Sequence, residues 1–229
     1  MLQSMDIIVV SIGALSRNPL WGEKSPLRTS HATTTLIRSG DVNLLVDPSL
    51  PAPVLQQRIF ERSGMAAEAV THVFLTNFKP VHRRALEFFT KAQWLMNEVE
   101  IHAADHALSA AENHGADGSA EEQSLLKSER RLLDRVKPAP DKIADSVDLF
   151  PLPGYTPGQS GLLLGLPTRT IVIAGDAVPT AGHFEIGQVF PDCFDLHQAQ
   201  ESMAELYQIA DLIVPGHDNI FVNPRTAGF

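Results

Sequence analysis

Short β-rich runs recur along this chain: Asp6 to Ile12, Ala32 to Arg38, Val42 to Val46, His72 to Thr76, Glu100 to Ala103, Ser146 to Pro151, Ser160 to Leu166, Thr170 to Ala174 and Leu212 to Val214. Most are stretches of Val, Ile, Leu and Thr closed off by Gly, Pro, Asp or Asn, which is how strands begin and end. Strands this apolar are built for burial within sheets.

Amphipathic helices supply the cover. Val54, Leu55 and Ile59 share one face of a segment that opens with prolines and stops at Gly64, as helix start and stop chemistry requires. Ser119 and Glu122 form a capping-box pair ahead of Leu125, Leu126, Leu132, Leu133 and Val136. Asp195 and Gln198 open another helix, with Leu196, Ala199, Met203, Leu206 and Ala210 on its apolar side. Strands first, then strand-helix alternation, then more strands and a late helix predict two sheets with helices outside. Hydrophobic residues are 44% and charged residues 20% of the 229, enough to bury one core, and one domain is expected.

Charge and cysteine usage narrow the function classes. A net charge of −9 opposes nucleic-acid binding, which needs a basic face. The basic cluster Lys127, Arg130, Arg131, Arg135 and Lys137 is interleaved with Glu129 and Asp134, the pattern of a solvated helix side. Cys193 is the only cysteine, so no intrachain disulfide can form. No run approaches the roughly 20 apolar residues of a membrane span, and Ile7 to Ile12 reads as a strand. The expectation is a cytoplasmic protein with a small-molecule substrate or ligand, no nucleic-acid or membrane partner, and homodimerisation as an option.

Five segments carry recognisable chemistry. Leu44 to Val46 ends in Asp47, Ile171 to Ala174 ends in Gly175-Asp176, and Leu212 to Val214 ends in Pro215-Gly216-His217-Asp218. The fourth, Thr71-His72-Val73-Phe74-Leu75-Thr76-Asn77-Phe78-Lys79-Pro80-Val81-His82, resembles the strand-to-loop segment that carries H-x-H-x-D-H in metallo-β-lactamase-fold hydrolases. Gly154-Tyr155-Thr156-Pro157-Gly158-Gln159 is similar to that family's G-H-T-P-G-H. The resemblance spans roughly residues 30 to 220 and implies an α/β (α+β) fold, a four-layered αββα sandwich. It would form one metallo-β-lactamase-like domain over residues 1–229, with a helical insertion or lid at about 104–141.

Against that family pattern the ligand positions of the first metal read Asn77, Lys79 and Tyr155, and Val81 replaces the aspartate. Valine ligates nothing, and lysine, with a reference pKa of about 10.4, repels a cation near neutral pH. The resemblance implies that His82, Asp176 and His217 remain as ligands for one divalent metal, zinc or iron. Alternatively, Lys79 pairs with Asp176 and no metal is held. Catalytic candidates are Asp176, Tyr155 and Lys79. Tyr155 is either a donor to a developing oxyanion or a packed ring. His31 and His183 are weaker candidates, since isolated histidines usually only hydrogen-bond. Trp21, in the Ser16 to Ser30 loop, either overhangs the pocket or covers a sheet edge. Phe88, Phe89, Trp94 and Leu95 fit core packing at helical spacing.

Three functions follow. The first is a hydrolase using one metal against an ester, lactone, thioester or amide. The second is a catalytically inactive homologue that serves as a small-molecule binding or regulatory module, with Lys79 and Tyr155 recognising an anion. The third is a structural protein that uses residues 104–141 as its contact surface.

Overall fold

Twelve strands pair into two six-stranded sheets in a computed structural model that describes residues 5–114 and 118–226. The first sheet runs, neighbour to neighbour, β1 (Asp6–Ser11), β2 (Thr34–Ser39), β3 (Val42–Val46), β4 (His72–Phe74), β5 (Gln93–Met96) and β6 (Val136–Pro138). The second runs β7 (Lys142–Ala144), β8 (Val147–Pro151), β9 (Ser160–Leu166), β10 (Arg169–Gly175), β11 (Leu212–Pro215) and β12 (Phe221–Val222). Helices α1 (Ala52–Ser63), α2 (Glu98–His114) and α3 (Ala120–Leu133) lie on the first sheet, and α4 (Ala181–Glu185) and α5 (Leu196–Ile209) on the second.

Consecutive apolar residues on a strand point to opposite faces, and this builds the αββα layering. Leu44 and Val46 of β3 face the inter-sheet core with Phe74, Leu162, Leu164 and Ile173. Leu45, between them, turns outward to Leu55 and Ile59 of α1. On β10, Ile171 and Ile173 look inward while Val172 packs under Met203 and Leu206 of α5.

Three sequence expectations need revision. Glu100 to Ala103 is not a strand; it belongs to α2, whose start is fixed by the Asn97 side chain accepting the Val99 N–H at 2.9 Å. The strand after β4 is β5, so Trp94 and Leu95 pack from a strand, not at helical spacing. Val136 continues the apolar face of α3 in sequence but leaves the helix to begin β6. Of the 104–141 segment, residues 115–117 lie outside the described residues. The remainder carries most of α2, all of α3, and β6, with Leu108, Leu132 and Leu133 packed on the first sheet.

Parallel pairing decides where chemistry can gather. β3, β4 and β5 are parallel neighbours, as are β10 and β11. Their C-terminal ends deliver Asp47, the 76–82 loop, Asp176 and His217 to one rim. Crevices at carboxyl strand ends are where open α/β sheets bind ligands.

Candidate metal centre

Asp176 occupies the middle of the site because two glycines make room for it. Gly175 turns out of β10 with φ +54, and a Cβ there would meet Thr76 Oγ1 at 2.6 Å. A Cβ on Gly216 would come within 2.5 Å of Asp176 Oδ1. The carboxylate is 1% exposed.

Two histidines aim at it from different sheets. His82, on a 3-10 turn at Pro80–His82, is fully buried, with Nε2 2.8 Å from Asp176 Oδ2 and Nδ1 2.9 Å from Asp47 Oδ2. His217 follows β11 and places Nε2 3.1 Å from Asp176 Oδ1, while its Nδ1 lies 3.0 Å from the His31 carbonyl oxygen. A carbonyl or carboxylate oxygen can only accept, so Nδ1 carries a proton in both rings and Nε2 is the atom turned to Asp176; on His82 that edge meets a carboxylate oxygen as well, so without a metal this ring is held protonated on both nitrogens. The candidate ligand atoms of His82, Asp176 and His217 lie within 4.8 Å of one another.

Asp47 holds His82 in place and is itself held. It adopts φ 50, a left-handed conformation that aspartate tolerates better than most residues. Its carboxylate accepts from Thr76 N at 3.0 Å and from Thr76 Oγ1 at 2.8 Å. A carboxylate behind an imidazole is the usual arrangement that orients a metal-binding histidine.

The electrostatics follow from burial and charge. Burial alone would push the His82 imidazole down, but the carboxylates of Asp176 and Asp47 outweigh it and raise it to about 10. Burial likewise opposes ionisation of Asp176, and the charges of His82 and His217 override it, holding the carboxyl far below the usual range. Asp176 Oδ1 is buried with no hydrogen-bond donor assigned to it among the described residues, and meets His217 Nε2 as an ion-pair contact at 3.1 Å.

Asn77, Lys79 and Tyr155 form the neighbouring wall. The Asn77 amide donates to Gln159 Oε1 at 2.9 Å and to Asp176 Oδ2 at 3.3 Å. The expected Lys79–Asp176 ion pair is not formed: the ion-pair partners of Asp176 are the two histidines, and the Lys79 ammonium lies 3.7 Å from the centre of the Tyr155 ring. Asn77 and His82 already fill the approaches to the carboxylate, so the longer side chain settles on the aromatic face. Burial, then the Asp176 charge, pushes the Tyr155 phenol well up, so it stays protonated. Its ring leans on Phe190 at 5.1 Å, and Phe190 also meets His217 and His183.

Other candidates divide cleanly. His183 is buried beside the centre, its Nδ1 2.8 Å from Thr180 Oγ1, and is pushed down by burial and by His217. His31 contributes its carbonyl to His217, and its ring nitrogens face the Ile12 and Thr29 carbonyls. Trp21 is 71% exposed and, with Arg28, Thr180 and His217, lines a cavity of about 260 Å³.

Glu100 escaped the sequence reading. Buried in the first turn of α2, it accepts from Phe78 N at 3.1 Å, Thr156 Oγ1 at 2.7 Å and Gly158 N at 3.0 Å. One carboxylate thus ties together the two loops that carry Asn77, Lys79 and Tyr155. Its signal is an acidic residue three positions after a capping Asn, legible only once the segment is taken as a helix.

Fold and site together define an αββα sandwich with a two-histidine, one-carboxylate cluster at its strand-end rim. The chain belongs to the metallo-beta-lactamase superfamily, whose family profile matches residues 27–217. No curated protein matches it. Among solved structures, a metallo-beta-lactamase-like protein of Thermotoga maritima is 17% identical with a TM-score of 0.68, over 95% of this chain and 99% of that one. AiiA of B. thuringiensis, with N-decanoyl-L-homoserine at its active site, is 17% identical with a TM-score of 0.62, over 95% and 94%. The dizinc quorum-quenching lactonase AidC is 16% identical with a TM-score of 0.64, over 81% and 72%. Among the described residues, no helix is long and apolar enough to cross a membrane.

Proposed function

We propose that this chain is a single-metal hydrolase, with one zinc or iron ion held by His82 Nε2, Asp176 and His217 Nε2. The observation that carries it is the shared orientation of the two imidazoles: each spends Nδ1 on an oxygen acceptor and turns Nε2 to Asp176, whose Oδ1 has no hydrogen-bond donor among the described residues. Two nitrogens and a carboxylate suit zinc or iron. A second ion does not fit: the Asn77 amide is spent on Gln159 and Asp176, and the Lys79 ammonium repels a cation.

A bound divalent ion supplies Lewis-acid polarisation and a water with a pKa brought toward about 7. The chain supplies the rest. Asp47 would hold the proton of a metal-bound His82 on Nδ1, Phe190 packs against His217 and Tyr155, and Tyr155, kept protonated, donates a hydrogen bond to the oxyanion that develops on an attacked carbonyl. The substrate class is an ester, lactone, thioester or amide, and the homoserine lactone relatives favour trying lactones first. The experiment is hydrolysis of such a panel by zinc- and iron-loaded protein. Turnover that is lost on chelation and in Asp176→Asn supports the proposal, and no turnover of any class by metal-loaded protein overturns it.

A metal-free binding or regulatory module is the second reading, favoured by the 2.8 Å contact between His82 Nε2 and Asp176 Oδ2. There a proton on His82 does the work of the cation. Protein that takes up no ion on supplementation with zinc or iron and keeps its fold supports it.

A further inference from the structure

A groove of about 610 Å³, with Lys79 on its wall, opens between the 78–83 loop and α2. Its volume lies within the range of small-molecule sites. Phe78, Ala104, Leu108, Pro157 and Phe194 give it apolar walls. Phe194 is 70% exposed at its rim, and its N–H bonds the Tyr155 carbonyl, so it stands at the same end as Lys79.

The charges at this groove are not equivalent. Glu100 is buried with its oxygens on Phe78 N, Thr156 Oγ1 and Gly158 N, Arg83 is closed on Glu129 while its guanidinium stacks 4.1 Å from the Phe78 ring centre, and His106 stands exposed on the wall. Lys79 differs: among the described residues it has no carboxylate partner, and only the Tyr155 ring steadies its ammonium. An apolar trough with Lys79 on its wall, and no carboxylate paired with that ammonium among the described residues, suits a molecule with an apolar body and an anionic end.

We propose that this groove binds a small carboxylate with an apolar body, an alkyl or aryl chain lying between Phe78, Leu108 and Phe194 and its carboxylate on the Lys79 ammonium. The site needs no metal and stands whether or not the metal proposal does. Lys79 thereby acquires a role as an anion anchor, and the exposure of Phe194 is explained.

The test is calorimetric titration of the chelated and the zinc-loaded full chain with octanoate and with octan-1-ol, which shares the chain and lacks the charge. A charge-assisted bond at a partly covered site is worth about tenfold, so octanoate should bind about tenfold tighter than the alcohol in both metal states. Lys79→Met should erase that preference and leave alcohol binding unchanged. Ala107→Trp, an exposed position on the groove wall, should block both ligands without lowering the melting temperature. Equal affinity for the two ligands in the natural chain, or a preference that survives Lys79→Met, overturns the proposal. So does octanoate binding that requires zinc, since that would place the carboxylate on the ion.

Discussion

His82 Nδ1 and Asp47 Oδ2 stand 2.9 Å apart, both side chains out of solvent, and the opposite edge of the same imidazole meets Asp176. One ring therefore links a carboxylate at the end of β3 to a carboxylate at the end of β10, and hence the first sheet to the second. The link serves structure and site at once, and variants can separate the two.

Asp47→Asn keeps the shape and removes the charge behind His82. Outer-sphere partners of this kind are worth about 10- to 100-fold in metal affinity, so zinc affinity, read by competition with a chromophoric chelator, should fall by that factor in a folded chain. An unchanged affinity would mean that Asp47 does not orient the ligand.

His82→Ala leaves Asp47 and Asp176 buried with no cation between them. Removing one member of a buried charged set costs about 3–5 kcal/mol, and urea denaturation of metal-free protein should show a loss of that size. A loss below about 1 kcal/mol, the range of an exposed pair, would show that the three groups are not held together as charges.

Gly216→Ala would drive a methyl to 2.5 Å from Asp176 Oδ1. The expected cost is about 1–3 kcal/mol, the usual price of overpacking, with metal affinity falling because the carboxylate must move. Wild-type affinity in this variant would place the ion away from Oδ1.

Glu100→Gln replaces a carboxylate that accepts three hydrogen bonds by an amide with one accepting oxygen. About 1–3 kcal/mol should be lost from buried donors left without partners. Hydrogen exchange should quicken at the Phe78 and Gly158 amides, and unchanged protection there would remove Glu100 from its role in joining the loops.

The layered fold was legible because its central strands are long and apolar on both faces, as Ser160–Leu166 and Arg169–Gly175 are. What escaped is short or disguised. β7 and β12 have three and two residues, too few for a periodic signal, and the apolar period of α3 runs on into Val136 of β6. The cluster of His82, Asp176 and His217 was visible only through the resemblance of scattered motifs, since no local spacing joins positions so far apart. The Lys79–Asp176 pair failed for a reason invisible in one dimension: His82, His217 and Asn77 surround the carboxylate, and an aromatic face was nearer to hand.

Metal stoichiometry tests the central claim most directly. Protein purified without chelator, supplemented with zinc or iron, dialysed and analysed by mass spectrometry for metals should retain close to one ion per chain, and His217→Ala should retain none. An empty natural chain after supplementation, or two ions per chain, would contradict the single-ion centre at His82, Asp176 and His217.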